Sequence, residues 1–110
     1  MNAIHKFPVY IGQGNVFQTH KGATILDVQI QANDPRPNSA QVWVMVDTSQ
    51  PLVDFGVSIF GTGHTLPPDL QPRHYVGTFQ TAGGNLVWHA FGGQLADEGR
   101  RESYDAFHKA

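Results

Sequence analysis

The chain has 110 residues, 40% of them hydrophobic and 15% charged, with a formal net charge of −2 and no cysteine. That size fits one domain with a modest core, and the composition is that of a packed chain, not a disordered one. The scattered basic residues exclude a whole-surface electrostatic grip on DNA, and the lack of cysteine excludes a disulfide framework or a thiolate metal site.

The opening segment MNAIHKFPVY has no apolar core of the signal-peptide kind. No apolar run approaches the roughly 18 residues of a membrane span, so a cytosolic protein is expected. A strand is predicted around Ile4 to Phe7, with Pro8 suited to an edge or a bend. IGQG then turns the chain, NVFQTH makes a second strand and HKGA a second turn. In TILDVQIQ, residues 24–31, Leu26, Val28 and Ile30 alternate with Asp27, Gln29 and Gln31. That is the pattern of a half-buried strand, and the apolar stripe is read as core.

NDPRPNS, residues 33–39, is a loop, because its prolines remove donors and Asn and Asp favour turns. QVWVMVD, residues 41–47, is apolar on both faces, with Val42, Val44 and Val46 on one and Trp43 and Met45 on the other. Such a strand is central, or one face meets another sheet, a helix or a second subunit. LVDFGVSIFGT, residues 52–62, alternates through Val53, Phe55, Val57 and Ile59. Gly56 in mid-run marks a bulge or a close backbone approach.

HYVGTFQT, residues 74–81, and NLVWHAFG, residues 85–92, are joined by AGGN, a glycine-rich hairpin signal, and are expected to pair antiparallel. About seven short strands predict an all-β fold, a small antiparallel β-sandwich or open barrel. Its expected core includes Leu26, Val28, Ile30, Val44, Val57, Ile59 and Trp88. The β domain is placed at residues 1–92. Residues 93–110 form a charged tail, helical or disordered, with Leu95, Tyr104 and Phe107 as its apolar anchors.

Six histidines raise the question of a metal: His5, His20, His64, His74, His89 and His108. None stands in an HxH or HExxH pattern, so no metal or cofactor is expected. His74 and His89 lie on strands expected to pair, which would bring them near each other. Ser39, Ser49, Ser58 and Ser103 sit in no GxSxG elbow, and Asp47, Asp54 and Asp69 are scattered. The chain is therefore read as a non-enzyme.

GTGHTLPP, residues 61–68, is the segment with the most chemistry. It is neither GxGxxG nor a phosphate loop ending in lysine. Successive glycines can expose backbone N–H groups as an anion nest, with Thr62, His64 and Thr65 adding donors. Equally, the segment can be a turn that needs positive φ at Gly61 or Gly63, with Pro67 and Pro68 as an extended exit. Both readings stay open.

The blocks IHKF, GATILDVQIQ, VWVMVD, IFGTGHTLP, YVGTFQ and LVWHAF form one ordered series over residues 4–91. The series resembles a family of small uncharacterised proteins encoded by tailed phages and prophages. The chain departs from that pattern in the proline-rich 33–39 segment and in the tail after residue 92, where a partner of its own would bind. The resemblance implies that Gly61, Thr62, Gly63, His64 and Leu66 belong with Gly77, Thr78, Gln80, Trp88 and His89 in one polar cluster or pocket.

The ligand-binding set expected is Gly61, Thr62, Gly63, His64, Thr65, Trp88 and His89. The function expected is that of a non-enzymatic phage accessory protein acting by binding. It would inhibit a host protein such as a defence component, in the cytoplasm of the bacterial host. One alternative is an oligomer that sequesters a small nucleotide-like ligand with the GTGH loop. Another is a minor virion or assembly protein. A homo-oligomer is expected, because the 41–47 strand is apolar on both faces.

Overall fold

A computed structural model describes residues 1–95. Seven strands follow one another: β1 (Asn2–Tyr10), β2 (Asn15–His20), β3 (Thr24–Gln29), β4 (Ser39–Asp47), β5 (Leu52–Gly61), β6 (Tyr75–Thr81) and β7 (Leu86–Gln94). They form two antiparallel sheets, one in the order β1-β4-β3 and the other β2-β5-β7-β6. The fold is all-β, a small sandwich without barrel closure. Among the described residues no helix is long and apolar enough to cross a membrane.

β4 is the middle strand of its sheet, and only one of its two apolar faces meets the core. Ala40, Val42, Val44 and Val46 turn inward and pack with Val9, Val28, Val57, Phe79 and Ala90. Gln41, Trp43 and Met45 take the other face. Pro8 sits on β1, an edge strand, where a missing N–H costs least. The crossing from β1 to β2 is tied by the buried Asn15, whose amide nitrogen donates to the Tyr10 and Val57 carbonyls at 3.1 and 3.2 Å.

The core differs from the expected one at β3. Its register with β4 slips between Ile25 and Asp27, which pair with Val44 and Trp43, so Leu26 is an extra residue. A bulge of this kind reverses the alternation beyond it. Ile25 and Val28 therefore both turn inward although they are three apart. Leu26, expected in the core, is 45% exposed. Ile30, past the end of the strand, is 42% exposed. Val28, Val44 and Val57 are buried as expected, while Ile59 and Trp88 are only half-buried and pack against the rim of the core.

A second bulge lies in β6, between Tyr75 and Gly77. Gly77 faces inward, and a Cβ there would stand 2.9 Å from Val28 Cγ1. The two bulged edge strands, β3 and β6, thus close one side of the sandwich around a contact that only glycine permits. A similar close approach lies between β5 and β7, where a Cβ on Gly92 would collide with the Gly56 carbonyl oxygen.

Strand β7 runs past residue 92, and the buried Leu95 donates its N–H to the Asp54 carbonyl at 2.9 Å. The expected helical or disordered tail falls largely on residues 96–110, outside the described residues.

Candidate functional site

The GTGH segment leaves β5 as a tight, internally bonded turn. The Gly61 N–H donates to His64 Nδ1 at 3.2 Å, the His64 N–H to the Gly61 carbonyl at 3.1 Å, and the Thr62 N–H to the Val87 carbonyl at 3.2 Å. An anion nest here would need these same groups. Gly63 has φ +87°, so the positive φ falls there. Gly61 matters differently: a Cβ on it would lie 2.8 Å from His64 Cε1, so the exposed ring would have to move aside.

The His64 ring meets the Trp88 indole edge-on, with centroids 6.3 Å apart and planes at 74°. Trp88 pairs with Gly61 in the β5–β7 register and turns inward. Its indole N–H donates to Thr81 Oγ1 at 2.9 Å, so the tryptophan is oriented from both sides.

His89, the next residue, turns to the opposite face of the sheet. Its Nε2 lies 2.7 Å from Thr62 Oγ1 and its Nδ1 3.0 Å from Thr78 Oγ1. Thr78 Oγ1 in turn lies 2.6 Å from the Tyr75 hydroxyl. One orientation satisfies the whole chain. Tyr75 donates to Thr78, Thr78 to His89 Nδ1, His89 Nε2–H to Thr62, and Thr62 to the Val87 carbonyl at 3.4 Å. Tyr75 reaches Thr78, three residues on, because the β6 bulge puts both on one face.

The expected site residues therefore divide between two faces. Gly61, His64 and Trp88 gather at the end of the sandwich. Thr62 and His89 join Thr78 and Tyr75 on the outer face of the four-stranded sheet. Gly63 and Thr65 are exposed in the loop. His74 precedes β6 and its Nδ1 accepts the Gln71 N–H at 3.1 Å. It stands beyond the Tyr75–Phe91 pair, whereas His89 pairs with Thr78, so the two histidines occupy different rows. Burial and then the Arg73 charge lower its pKa, against a rise from Asp69. Among the described residues no three His, Asp or Glu side chains converge as metal ligands.

Two clefts share Trp88. One, of about 230 Å³, lies on the loop side and is lined by Gly61, Thr62, His64, Asn85, Leu86, Val87 and Trp88. The other, of about 320 Å³, opens between residues 30–39 and the β6–β7 hairpin. Ile11, Ile30, Leu86 and Trp88 supply its apolar walls, and Gln31, Asn38, Ser39 and Thr81 its neutral polar groups.

Asp34 and Arg36 complete the larger cleft, and composition alone did not single them out. Arg36 donates Nε to Asp34 Oδ1 at 2.9 Å and Nη2 to Oδ2 at 2.7 Å, a two-pronged pair. The buried Gln41 amide also donates to Asp34 Oδ2. The Arg36 side chain, and next its backbone N–H, hold the Asp34 carboxyl down to about 2. The loop is further pinned by Ser39 Oγ donating to the Arg36 carbonyl at 2.8 Å, and Asn38 takes φ +55°. A readable signal existed in the Asp-Pro-Arg spacing, which sets an acceptor two residues before a donor in a turn.

A family model described as a domain of unknown function, DUF7352, matches residues 1–100. The chain belongs to the DUF7352 family. No curated protein and no solved structure matches it. What the DUF7352 chain offers chemically is therefore read from its own geometry. Both nitrogens of His89 are engaged by threonine hydroxyls, which makes the imidazole a strut between the turn after β5, β6 and β7. Trp88, by contrast, presents surface to two clefts.

Proposed function

We propose that this DUF7352 chain is a non-catalytic binding protein that holds a small, uncharged, planar ligand at the Trp88 end of its sandwich. One observation carries the reading: the larger cleft joins an oriented indole to an Arg36 whose charge is already neutralised by Asp34. An aromatic wall favours a flat ring. The remaining lining is uncharged, so little would attract a phosphate. The volume, about 320 Å³, is at the small end of ligand sites and suits a nucleobase or nucleoside more than a whole nucleotide. Together with the resemblance to tailed-phage proteins, this describes an accessory factor that sequesters a ligand in the host cytoplasm.

A second reading keeps the accessory role but makes a host protein, such as a defence component, the partner. It is favoured by an open apolar groove of about 390 Å³ among Leu66, Leu70, Pro72, Tyr75 and Phe91.

Native mass spectrometry of the full chain, followed by a fluorescence titration with adenosine and with adenosine monophosphate, tests the first reading. Quenching by the nucleoside that exceeds quenching by the phosphate, and that is lost in Trp88→Leu with the fold intact, is the expected result. No added mass and no saturable quench with either probe would reject it in favour of the second.

A further inference from the structure

We propose that His5 and His20 form a two-imidazole site for a divalent late transition metal, such as zinc, nickel or copper, which fastens the two sheets together along one edge. The proposal is independent of the ligand reading. His20 pairs with Leu52 at the start of β5, and the GTGH loop begins at the other end of that strand.

Topology sets the place. β1 and β2 are the end strands of the two sheets on one side of the sandwich, as β3 and β6 are on the other. β1 and β2 belong to different sheets, so no backbone ladder joins them. Side chains bridge this edge instead. Phe7 stacks on Phe17 with ring centroids 4.5 Å apart. Further along the same edge, the half-buried rings of His5 and His20 meet with centroids 6.0 Å apart and planes inclined at 58°.

The ring nitrogens are arranged as ligands. His20 Nδ1 lies 2.6 Å from the Gln50 carbonyl oxygen. A carbonyl only accepts, so Nδ1 carries the proton and the lone pair is on Nε2. Metal-bound histidines are held in the same way, by an acceptor on the nitrogen that does not bind. Among the described residues no hydrogen bond engages the His5 ring, whose ring neighbours are Phe7 and His20. Two imidazoles on one tetrahedral ion, with metal–nitrogen bonds of about 2.0–2.1 Å, have ring centres about 5–6 Å apart. The pair already stands at that separation, one ring from each sheet.

A further polar group lies in the same layer. The step from Phe7 to His5 along β1 runs with the step from Phe17 to Thr19 along β2, so Thr19 stands on the histidine side of the stack. Thr19 is 1% exposed, and its hydroxyl has no hydrogen-bond partner.

The donor set selects the ion. Neutral imidazole suits zinc, copper and nickel, whereas magnesium and calcium take oxygen ligands. Among the described residues no third histidine or carboxylate joins the pair, so water completes the coordination. Such a site is weaker than a closed four-ligand centre, and the ion exchanges with solution.

The test combines thermal melts and NMR of the full chain with zinc chloride added to roughly 1 mM, and magnesium chloride as the control. Wild type should melt higher with zinc and not with magnesium, because an ion that binds the folded chain stabilises it. His5→Gln and His20→Gln should each weaken zinc binding at least about tenfold, since each removes one of the two protein ligands. His74→Gln should retain it. Imidazole nitrogen signals of wild type should shift first at His5 and at His20 Nε2, a readout that needs no variant to fold. No zinc-dependent rise in melting temperature would overturn the proposal. So would shifts centred on other histidines, or a rise that survives both His5→Gln and His20→Gln.

Discussion

The His64 imidazole occupies the space that a side chain on Gly61 would need: its Cε1 lies 2.8 Å from the position of a Gly61 Cβ, and its Nδ1 accepts the Gly61 N–H at 3.2 Å. Glycine and histidine are one unit, three residues apart. Gly61→Ala should push the exposed ring off Trp88 and lose the hydrogen bond, at a cost of about 1 kcal/mol. His64→Ala should cost about the same. Because both lose the same contact, the double substitution should cost little more than either one. Urea unfolding of the three variants measures this, and additive losses would show that the ring is not held by Gly61.

The bulge in β3 makes a similar prediction against the sequence pattern. Leu26 and Val28 look alike in TILDVQIQ, yet one is exposed and the other has no exposed surface. Val28→Ala should cost about 1–3 kcal/mol through lost burial and a cavity. Leu26→Ala should stay within about 0.5 kcal/mol. Thermal melts at low concentration separate the two, and equal losses would refute the bulged register.

The strands were legible because alternation and turn chemistry are local. NVFQTH coincides with β2, and the AGGN hairpin joins β6 to β7 as expected. The bulges were not legible, since one inserted residue leaves an apparent alternation that continues through Leu26 and Ile30. The same effect hid the Tyr75–Thr78 contact, which depends on the extra residue Val76. Of the site, the GTGH loop and Trp88 could be seen in advance. The separation of His64 and Trp88 from His89 follows from alternation along β7, while Thr62 of the loop stays with His89. The cleft with Asp34 and Arg36 could not be seen, because the β3–β4 loop belongs to one sheet and the β6–β7 hairpin to the other. Only the stacking of the two sheets joins them.

The Asp34–Arg36 pair gives the protein a defined acid response. Chiefly through the Arg36 side chain, the Asp34 carboxyl is lowered to about 2 from its ordinary 3.8. Asp47 is lowered to about 2 as well, by the Ser49 hydroxyl first, then the Ser49 N–H and the N-terminal amine. A carboxyl whose pKa falls on folding stabilises the native state above its unfolded value, and the benefit disappears as pH drops through the folded value. Melting temperature should therefore decline between about pH 4 and pH 2. Asp34→Asn should melt lower than wild type at neutral pH, and the gap should close toward pH 2. A gap that does not change with pH would mean that the carboxylate charge contributes nothing.

Gly77 and Val28 provide the most direct test of how the sandwich closes. Gly77 lies inward on β6, opposite Ala90, and is buried. A methyl group there would come within 2.9 Å of Val28 Cγ1 and 3.3 Å of Asp27 Oδ1. Val28 has no exposed surface, so its side chain has no free direction in which to move. Gly77→Ala must then part β3 from β6 or force Val28 off its rotamer, and overpacking of that kind costs about 1–3 kcal/mol. The β region is allowed to alanine, so backbone strain adds nothing, and the cost is contact alone. Val28→Ala removes the methyl groups that Gly77→Ala would strike. The double variant should thus be more stable than the sum of the two single losses, with a coupling of about 1 kcal/mol or more. Chemical unfolding of wild type, both single variants and the double variant completes the cycle. Strict additivity would show that β3 and β6 do not meet at this pair, and the closed side of the sandwich would have to lie elsewhere.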